Sequence, residues 1–229
     1  MNTEGRIKKI KEASKNLNNY LEIGVHRGVT FNQLDFEYKV AVDPKFAFEY
    51  QSVASDKVIF HEMTSDNFFI GNNKKILFDV IFLDGLHEYK QTYRDFINAL
   101  QSSHDKTIFI IDDVYPNDVY SSLLDSTVKQ RSLADPKNND KSWHGDVYKS
   151  IGLIHDLHPL ISFKTIKRGY GNPQTFLYKK PRKNFRPMFA NLEQIDRLDY
   201  FSLINDDSFM NLASEGEVLQ EIISFLGES

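Results

Sequence analysis

Phe78-Asp-Val-Ile-Phe-Leu-Asp84 and Thr107-Ile-Phe-Ile-Ile-Asp-Asp113 are short, almost unbroken apolar runs that each end in acid. Continuous rather than alternating apolar character predicts strands buried on both faces of a sheet. If the two run parallel, Asp84, Asp112 and Asp113 converge on one sheet edge, the edge at which open α/β sheets bind ligands. Packed carboxylates repel one another, so a cation or a shared proton should lie between them. A divalent metal that prefers oxygen ligands is the simplest answer.

Working outward, similar runs occur at Tyr20–Ile23, Lys39–Asp43 and Lys57–His61, separated by helix-compatible stretches. The clearest helix is Glu88–Leu100, where Tyr89, Tyr93, Phe96 and Leu100 recur at spacings of three and four. Strand alternating with helix predicts a parallel sheet with helices on both faces. Residues 3–17 read as a basic amphipathic helix carrying Ile7 and Ile10. Residues 114–144 hold Pro116, Pro136 and a polar run over 135–141. A connection of about 30 residues exceeds the usual loop and reads as a lid or acceptor loop, with a short helix near 121–129. A helix over 145–157 follows, then strands at 160–166 and 174–178 joined through Gly169, Gly171 and Pro173. These form an antiparallel pair at the sheet edge.

The expected fold is thus α/β, Rossmann-like, with a seven-stranded mostly parallel sheet and an antiparallel C-terminal edge strand. The basic segment 179–183 marks a boundary between a domain over 1–180 and a helical extension over 181–229. In that extension Leu192, Ile195 and Leu198 suggest one helix. A last helix is capped by Ser214 with Glu217 three residues on. Val218, Leu219, Ile222, Ile223 and Leu226 form its apolar face, and Gly227 stops it. The extension should pack on the domain or on a second subunit in a homodimer.

The 229 residues include 18 Phe and 11 Tyr, enough apolar bulk for a core, and carry a formal net charge of -4. That charge gives no global pull toward nucleic acid or an anionic membrane. With no cysteine, disulfides and thiolate metal sites are excluded. The N-terminus lacks a secretory apolar stretch, and no run nears the roughly 18–20 apolar residues that span a bilayer. A cytoplasmic protein with a small-molecule partner is expected.

The first strand leads into Leu21-Glu-Ile-Gly-Val-His-Arg-Gly28, where Gly24 and Gly28 permit a tight turn against a ligand. Asp43 ends the next strand, where an acid commonly binds ribose hydroxyls. Ser65 and Asp66 either cap the following helix or face an adenine at the same edge.

Glu22-x-Gly24-x-x-x-Gly28, Asp43, Thr64-Ser65-Asp66, Asp84-Gly-Leu-His-Glu-Tyr89, Asp112-Asp113 and Trp143-His-Gly-Asp-Val-Tyr148 occur in that order. The set resembles class I S-adenosylmethionine-dependent methyltransferases, in particular the macrocin-type and sugar O-methyltransferases, over about residues 18–180. The resemblance implies that Glu22 and Gly24 border the cofactor's methionine part, that Val25 and Gly28 also belong to the cofactor site, that Asp43 holds ribose, and that Ser65 and Asp66 face adenine. It implies Asp84, Asp112 and Asp113 as ligands of Mg²⁺ or a similar ion (Mn²⁺, Ca²⁺), with Asp84 also beside the cofactor. His87 matches the general base. Tyr89, Trp143, His144 and Asp146 would line the acceptor pocket; alternatively Asp146 caps a helix and Trp143 packs against it. Two departures stand out: His26 replaces a more familiar glycine, and Asp113 occupies a metal position that is often Asn.

The implied chemistry suits these residues. A hydroxyl is a poor nucleophile while protonated, a metal lowers its pKa, and an imidazole can take the proton. The expected function is metal-assisted O-methylation of a small polyhydroxylated acceptor, a sugar or glycosylated natural product. The alternative is a nucleotide-fold binding or scaffolding protein without catalysis, which His26 keeps open.

Overall fold

The computed structural model describes every residue except 15, 72–75, 125–130, 132, 138–139 and 229. Its strands are β1 (Asn19–Ile23), β2 (Tyr38–Asp43), β3 (Val58–Glu62), β4 (Phe78–Leu83), β5 (Ser103–Ile111), β6 (Ile161–Ile166), β7 (Thr175–Lys179) and β8 (Leu212–Ala213). The α-helices among the described residues are α1 (Thr3–Ala13), α2 (Ser65–Gly71), α3 (Tyr89–Leu100), α4 (Tyr148–Leu157), α5 (Leu192–Asp196), α6 (Tyr200–Asn205) and α7 (Glu215–Gly227).

All strands join one sheet in the order β3-β2-β1-β4-β5-β7-β6-β8. The five strands β1 to β5 are mutually parallel. β7 is antiparallel to both β5 and β6, so it lies inside the sheet rather than on its edge. The C-terminal extension supplies the two-residue β8, pairing parallel with β6, as an eighth strand at that edge.

The continuous apolar runs are explained by a core on each face. Phe78, Ile81 and Leu83 enter one core with Phe96 of α3 and Ile151 of α4. Val80 and Phe82 enter the other with Ile7 and Ile10 of α1 and Val218, Leu219, Ile222 and Phe225 of α7. β5 divides likewise, Phe109 and Ile111 to the first core, Ile108 and Ile110 to the second. Successive strand residues point to opposite faces, so a strand covered on both sides needs every position apolar. The last helix therefore packs on the same core as β4 and β5. Its buried face includes Phe225, while Ile223 is only half-buried.

Three local expectations shift. The β1–β2 and β2–β3 connections carry short 3-10 turns, Phe31–Gln33 and Tyr50–Ser52, in place of α-helices. There the buried Lys39 ammonium donates to the carbonyls of Phe31 and Leu34 at 3.0 and 2.8 Å, satisfying groups that a helix would pair internally. Rings of Phe31, Phe46, Phe48, Tyr50 and Phe60 pack together over that face. The helix read from residue 145 begins at Tyr148, because Gly145 adopts φ +57. A Cβ at Gly145 would stand 1.7 Å from the His87 carbonyl oxygen, so only glycine lets these two turns meet. The helix read near 121–129 falls mostly outside the described residues; 121–124 form turn and bend.

Among the described residues, no helix is long and apolar enough to cross a membrane.

Candidate active site

β1 and β4 are neighbours at the centre of the sheet, while β2 and β3 continue to one side and β5 to the other. This reversal of strand order opens a crevice at the C-terminal strand ends. A cleft of about 730 Å³ lies there, lined by the ends of β1, β2 and β4, the start of α2, and Gln91, Asp113 and Trp143. That volume is in the range of small-molecule sites.

The floor is held by backbone. Gly24 N–H donates to Val42 O at 2.9 Å, Asp84 N–H to Ile23 O at 2.8 Å and Asp112 N–H to Leu83 O at 3.0 Å. Gly24 has φ +91, and a Cβ there would stand 1.8 Å from the Asp84 carbonyl oxygen. Asp43 is buried; its two oxygens accept the N–H groups of His26 and Lys45, both at 2.8 Å, tying the loop after β1 to the loop after β2. His26 itself has φ +45, the backbone shape of a glycine, and is among the residues that line the cleft.

The acidic end is built around His87. Its Nδ1 lies 2.7 Å from the Trp143 carbonyl oxygen, which can only accept, so Nδ1 carries a proton. Its Nε2 then faces Asp113 Oδ2 at 3.1 Å and Asp84 Oδ1 at 3.6 Å. Burial works to lower the His87 pKa, but Asp84 and Asp113 outweigh it and raise it to about 9. Without another cation, His87 is an imidazolium at neutral pH. Asp84 is raised to about 6, first by burial and also by the charge of Asp113, against the lowering contact with His87. Asp113 has φ +55; this left-handed backbone, tolerated best by Gly, Asn and Asp, accompanies its turn toward His87.

Asp84, His87 and Asp113 offer ligand atoms that all lie within 4.8 Å of one another, the one such group among the described residues. Asp112 is engaged elsewhere. Its Oδ1 accepts from Asn172 Nδ2 at 2.6 Å and from Asp113 N–H at 2.9 Å, and burial plus the charges of Asp84 and Asp113 push its pKa up. The donor set is two carboxylates and an imidazole, and the two carboxylates draw positive charge, which the His87 imidazolium supplies in the cation-free chain. The set fits a divalent ion that takes oxygen and nitrogen ligands.

The structure separates the other residues that the sequence singles out. Gly24, Asp43, Ser65, Asp66, Asp84, His87, Asp113 and Trp143 line the cleft. Glu22 lies beneath it, 2% exposed, with Tyr20 hydroxyl donating to Oε2 at 2.6 Å; burial raises its pKa to about 8. Val25 is core, and Gly28 turns at φ +69 against Phe48 and Asn32. Tyr89 packs with Leu153 and Ile195, and its hydroxyl donates to Asp196, so its ring is turned from the cleft. Asp146 Oδ1 accepts the Tyr89 N–H at 2.8 Å, which makes it the cap of α3 rather than of the helix that follows it. Trp143 packs its ring on His87 at 4.9 Å. His144 is buried behind Asp113, Nε2 to Oδ1 3.7 Å, and burial lowers its pKa.

Two participants are not among the residues read from sequence. Gln91 sits four residues before Asp95 on the polar side of α3, an i,i+4 signal present in the chain. Asn172 Nδ2 bridges Asp112 and Asp113 at 2.6 and 2.7 Å from a turn about 60 residues away, for which the chain carries no local signal.

Known proteins share the fold that carries this site. Residues 21–114 match a family described as a methyltransferase domain. No curated protein sequence matches. Among solved structures, the chain is similar to the O-methyltransferase TomG from Streptomyces achromogenes, involved in tomaymycin synthesis and solved with SAM. That match has 15% identity over 77% of this chain and 79% of TomG, with a TM-score of 0.53. It is also similar to an O-methyltransferase from Bacillus cereus solved with SAH (20% identity, 78% and 82% covered, TM-score 0.52). A third is the SAH-bound methyltransferase PaMTH1 from Podospora anserina (18% identity, 77% and 78% covered, TM-score 0.51). Residues 21–114 thus match a methyltransferase domain, and the chain shares the fold of these solved methyltransferases.

Proposed function

We propose that the protein transfers a methyl group from S-adenosylmethionine to a hydroxyl of a small polyhydroxylated acceptor, a sugar or glycosylated natural product, with help from a divalent cation. The observation that carries this reading is the convergence of Asp84, His87 and Asp113 at one end of the cleft.

In this reading the cofactor lies across the loops after β1 and β2, with its adenosine toward Asp43, Ser65 and Asp66 and its methionine part toward Gly24. Asp84 stands between the cofactor and the acidic end. Asp84 and Asp113 would hold the cation, with His87 beside them and its Nε2 left for the proton. When bound, such an ion supplies positive charge that lowers the pKa of an acceptor hydroxyl.

His87 is oriented for proton transfer by its Nδ1–H bond to the Trp143 carbonyl, which leaves Nε2 as the atom that exchanges a proton. Its ion pairs with Asp84 and Asp113 hold that proton in the cation-free chain. Trp143 and Leu86, both lining the cleft, offer apolar surface to the acceptor. The loop over 114–144, which ends just past Trp143, would exclude water from the sulfonium. The rate gain then rests on alignment of the oxygen with the methyl carbon and sulfur.

The test is methyl transfer from labelled S-adenosylmethionine to a panel of sugars and glycosides, with Mg²⁺ and with excess chelator. Activity that chelator abolishes, and that Asp113→Ala abolishes while calorimetric cofactor binding persists, supports the reading. Full activity in chelator rules out the cation, and absence of cofactor binding rules out the methyltransferase mechanism.

A further inference from the structure

Gln91 lines the cleft yet belongs to none of the motifs that suggested the site. Its Nε2 lies 3.0 Å from Asp95 Oδ1, 3.2 Å from Ser65 Oγ and 3.3 Å from Asp66 Oδ1. Ionised carboxylates only accept, so the amide's NH₂ end must face this group; the flipped amide would set a carbonyl oxygen against two carboxylates. Asp66 is itself fixed by Arg94, Nε to Oδ1 3.0 Å. Asp95 is raised to about 6, chiefly by burial, and so is mostly ionised at neutral pH. Three acceptors on one side thus set the amide's orientation. The other end, Oε1, has no hydrogen-bond donor among the described residues. A residue that lines the cleft therefore presents an acceptor of fixed direction with nothing to accept.

We propose that Gln91 Oε1 accepts a hydrogen bond from the exocyclic amine of the cofactor's adenine and so selects a 6-aminopurine over a 6-oxopurine. The inference rests on the cofactor reading above and adds to it the residue that discriminates the base. An amine at C6 donates to Oε1. A 6-oxo group places a second acceptor against it, and the fixed amide cannot turn over without losing its bonds to Asp66 and Asp95.

The experiment is calorimetric titration of the wild-type chain, Gln91→Ala and Gln91→Met with S-adenosylhomocysteine and S-inosylhomocysteine. The wild type should bind the adenosyl compound at least about tenfold more tightly. Both variants should lose about five- to tenfold toward the adenosyl compound while binding the inosyl compound as well as or better than wild type, so the preference collapses. Methionine keeps the length and helix propensity of glutamine, so Gln91→Met controls for packing. A wild-type preference that persists in both variants, or an equal loss for both ligands, overturns the role of Gln91 and leaves the cofactor reading standing. No binding of either compound by the wild type overturns both.

Discussion

Two left-handed residues flank the cleft floor, and they differ in what they tolerate. Gly24, at φ +91, has the Asp84 backbone where a Cβ would go, whereas His26, at φ +45, already carries a side chain in a conformation glycine adopts freely. A non-glycine residue in this region costs about 1–2 kcal/mol, and glycine costs roughly 0.5–1 kcal/mol more backbone entropy on folding. His26→Gly should therefore change stability by no more than about 1 kcal/mol in urea denaturation. Gly24→Ala should cost several times that or prevent folding. Equal effects at the two positions would contradict the close approach of β1 and β4. At the same scale, Asp113 stands at φ +55, a left-handed conformation in which Asn and Asp are the enriched non-glycine residues.

The elements are set by local signals that tertiary packing then used. α7 is the clearest. Ser214 Oγ accepts the Glu217 N–H at 3.3 Å, and Glu217 Oε2 accepts the Ser214 N–H at 2.8 Å, a reciprocal cap legible as Ser-x-x-Glu. Ser214→Ala should cost about 1 kcal/mol, a fall of about 2–4 °C in thermal midpoint for a chain of this size. An unchanged midpoint would mean that α7 is held by its apolar face alone. That face anchors Val218, Leu219, Ile222 and Phe225 on the core shared with α1. Arg6 of α1 adds a buried tie, with Nε 2.8 Å from Glu215 Oε1 and Nη1 2.8 Å from Asn172 O. Through Asn172 the N-terminal helix reaches the Asp112–Asp113 pair, a link between elements far apart in the chain.

At the scale of the whole molecule, buried acid sets a pH dependence. Glu22 has a folded pKa of about 8 against an ordinary value of 4.5, so the folded state holds its proton after the unfolded chain has released it. Its contribution is complete below about pH 4.5 and is lost as pH rises toward 8, with a slope of at most about 1.4 kcal/mol per pH unit. Glu22→Gln should remove that slope. The thermal midpoint of the variant relative to wild type should rise steadily from about pH 5 to about pH 8. A difference that stays flat over this range would show that Glu22 does not titrate there.

Much of the sheet and part of the site were legible from residue order. The apolar runs of β1 to β5 and the acids at their ends depend on a pattern of consecutive residues, because a strand covered on both faces needs apolar side chains at every position. The parallel strands then carry Asp43, Asp84 and Asp113 to one edge. What the chain alone could not decide was direction within that edge. Asp112 and Asp113 are neighbours in sequence, yet a left-handed backbone at Asp113 separates their carboxylates, so that Asp113 reaches His87 while Asp112 stays with Asn172. The roles of Tyr89 and Asp146 also turned on packing: both joined the α3–α4–α5 contact instead of the cleft. Asn172, Gln91 and the loop of His26 are placed by contacts between distant segments, and such contacts exist only once the sheet has closed its two cores.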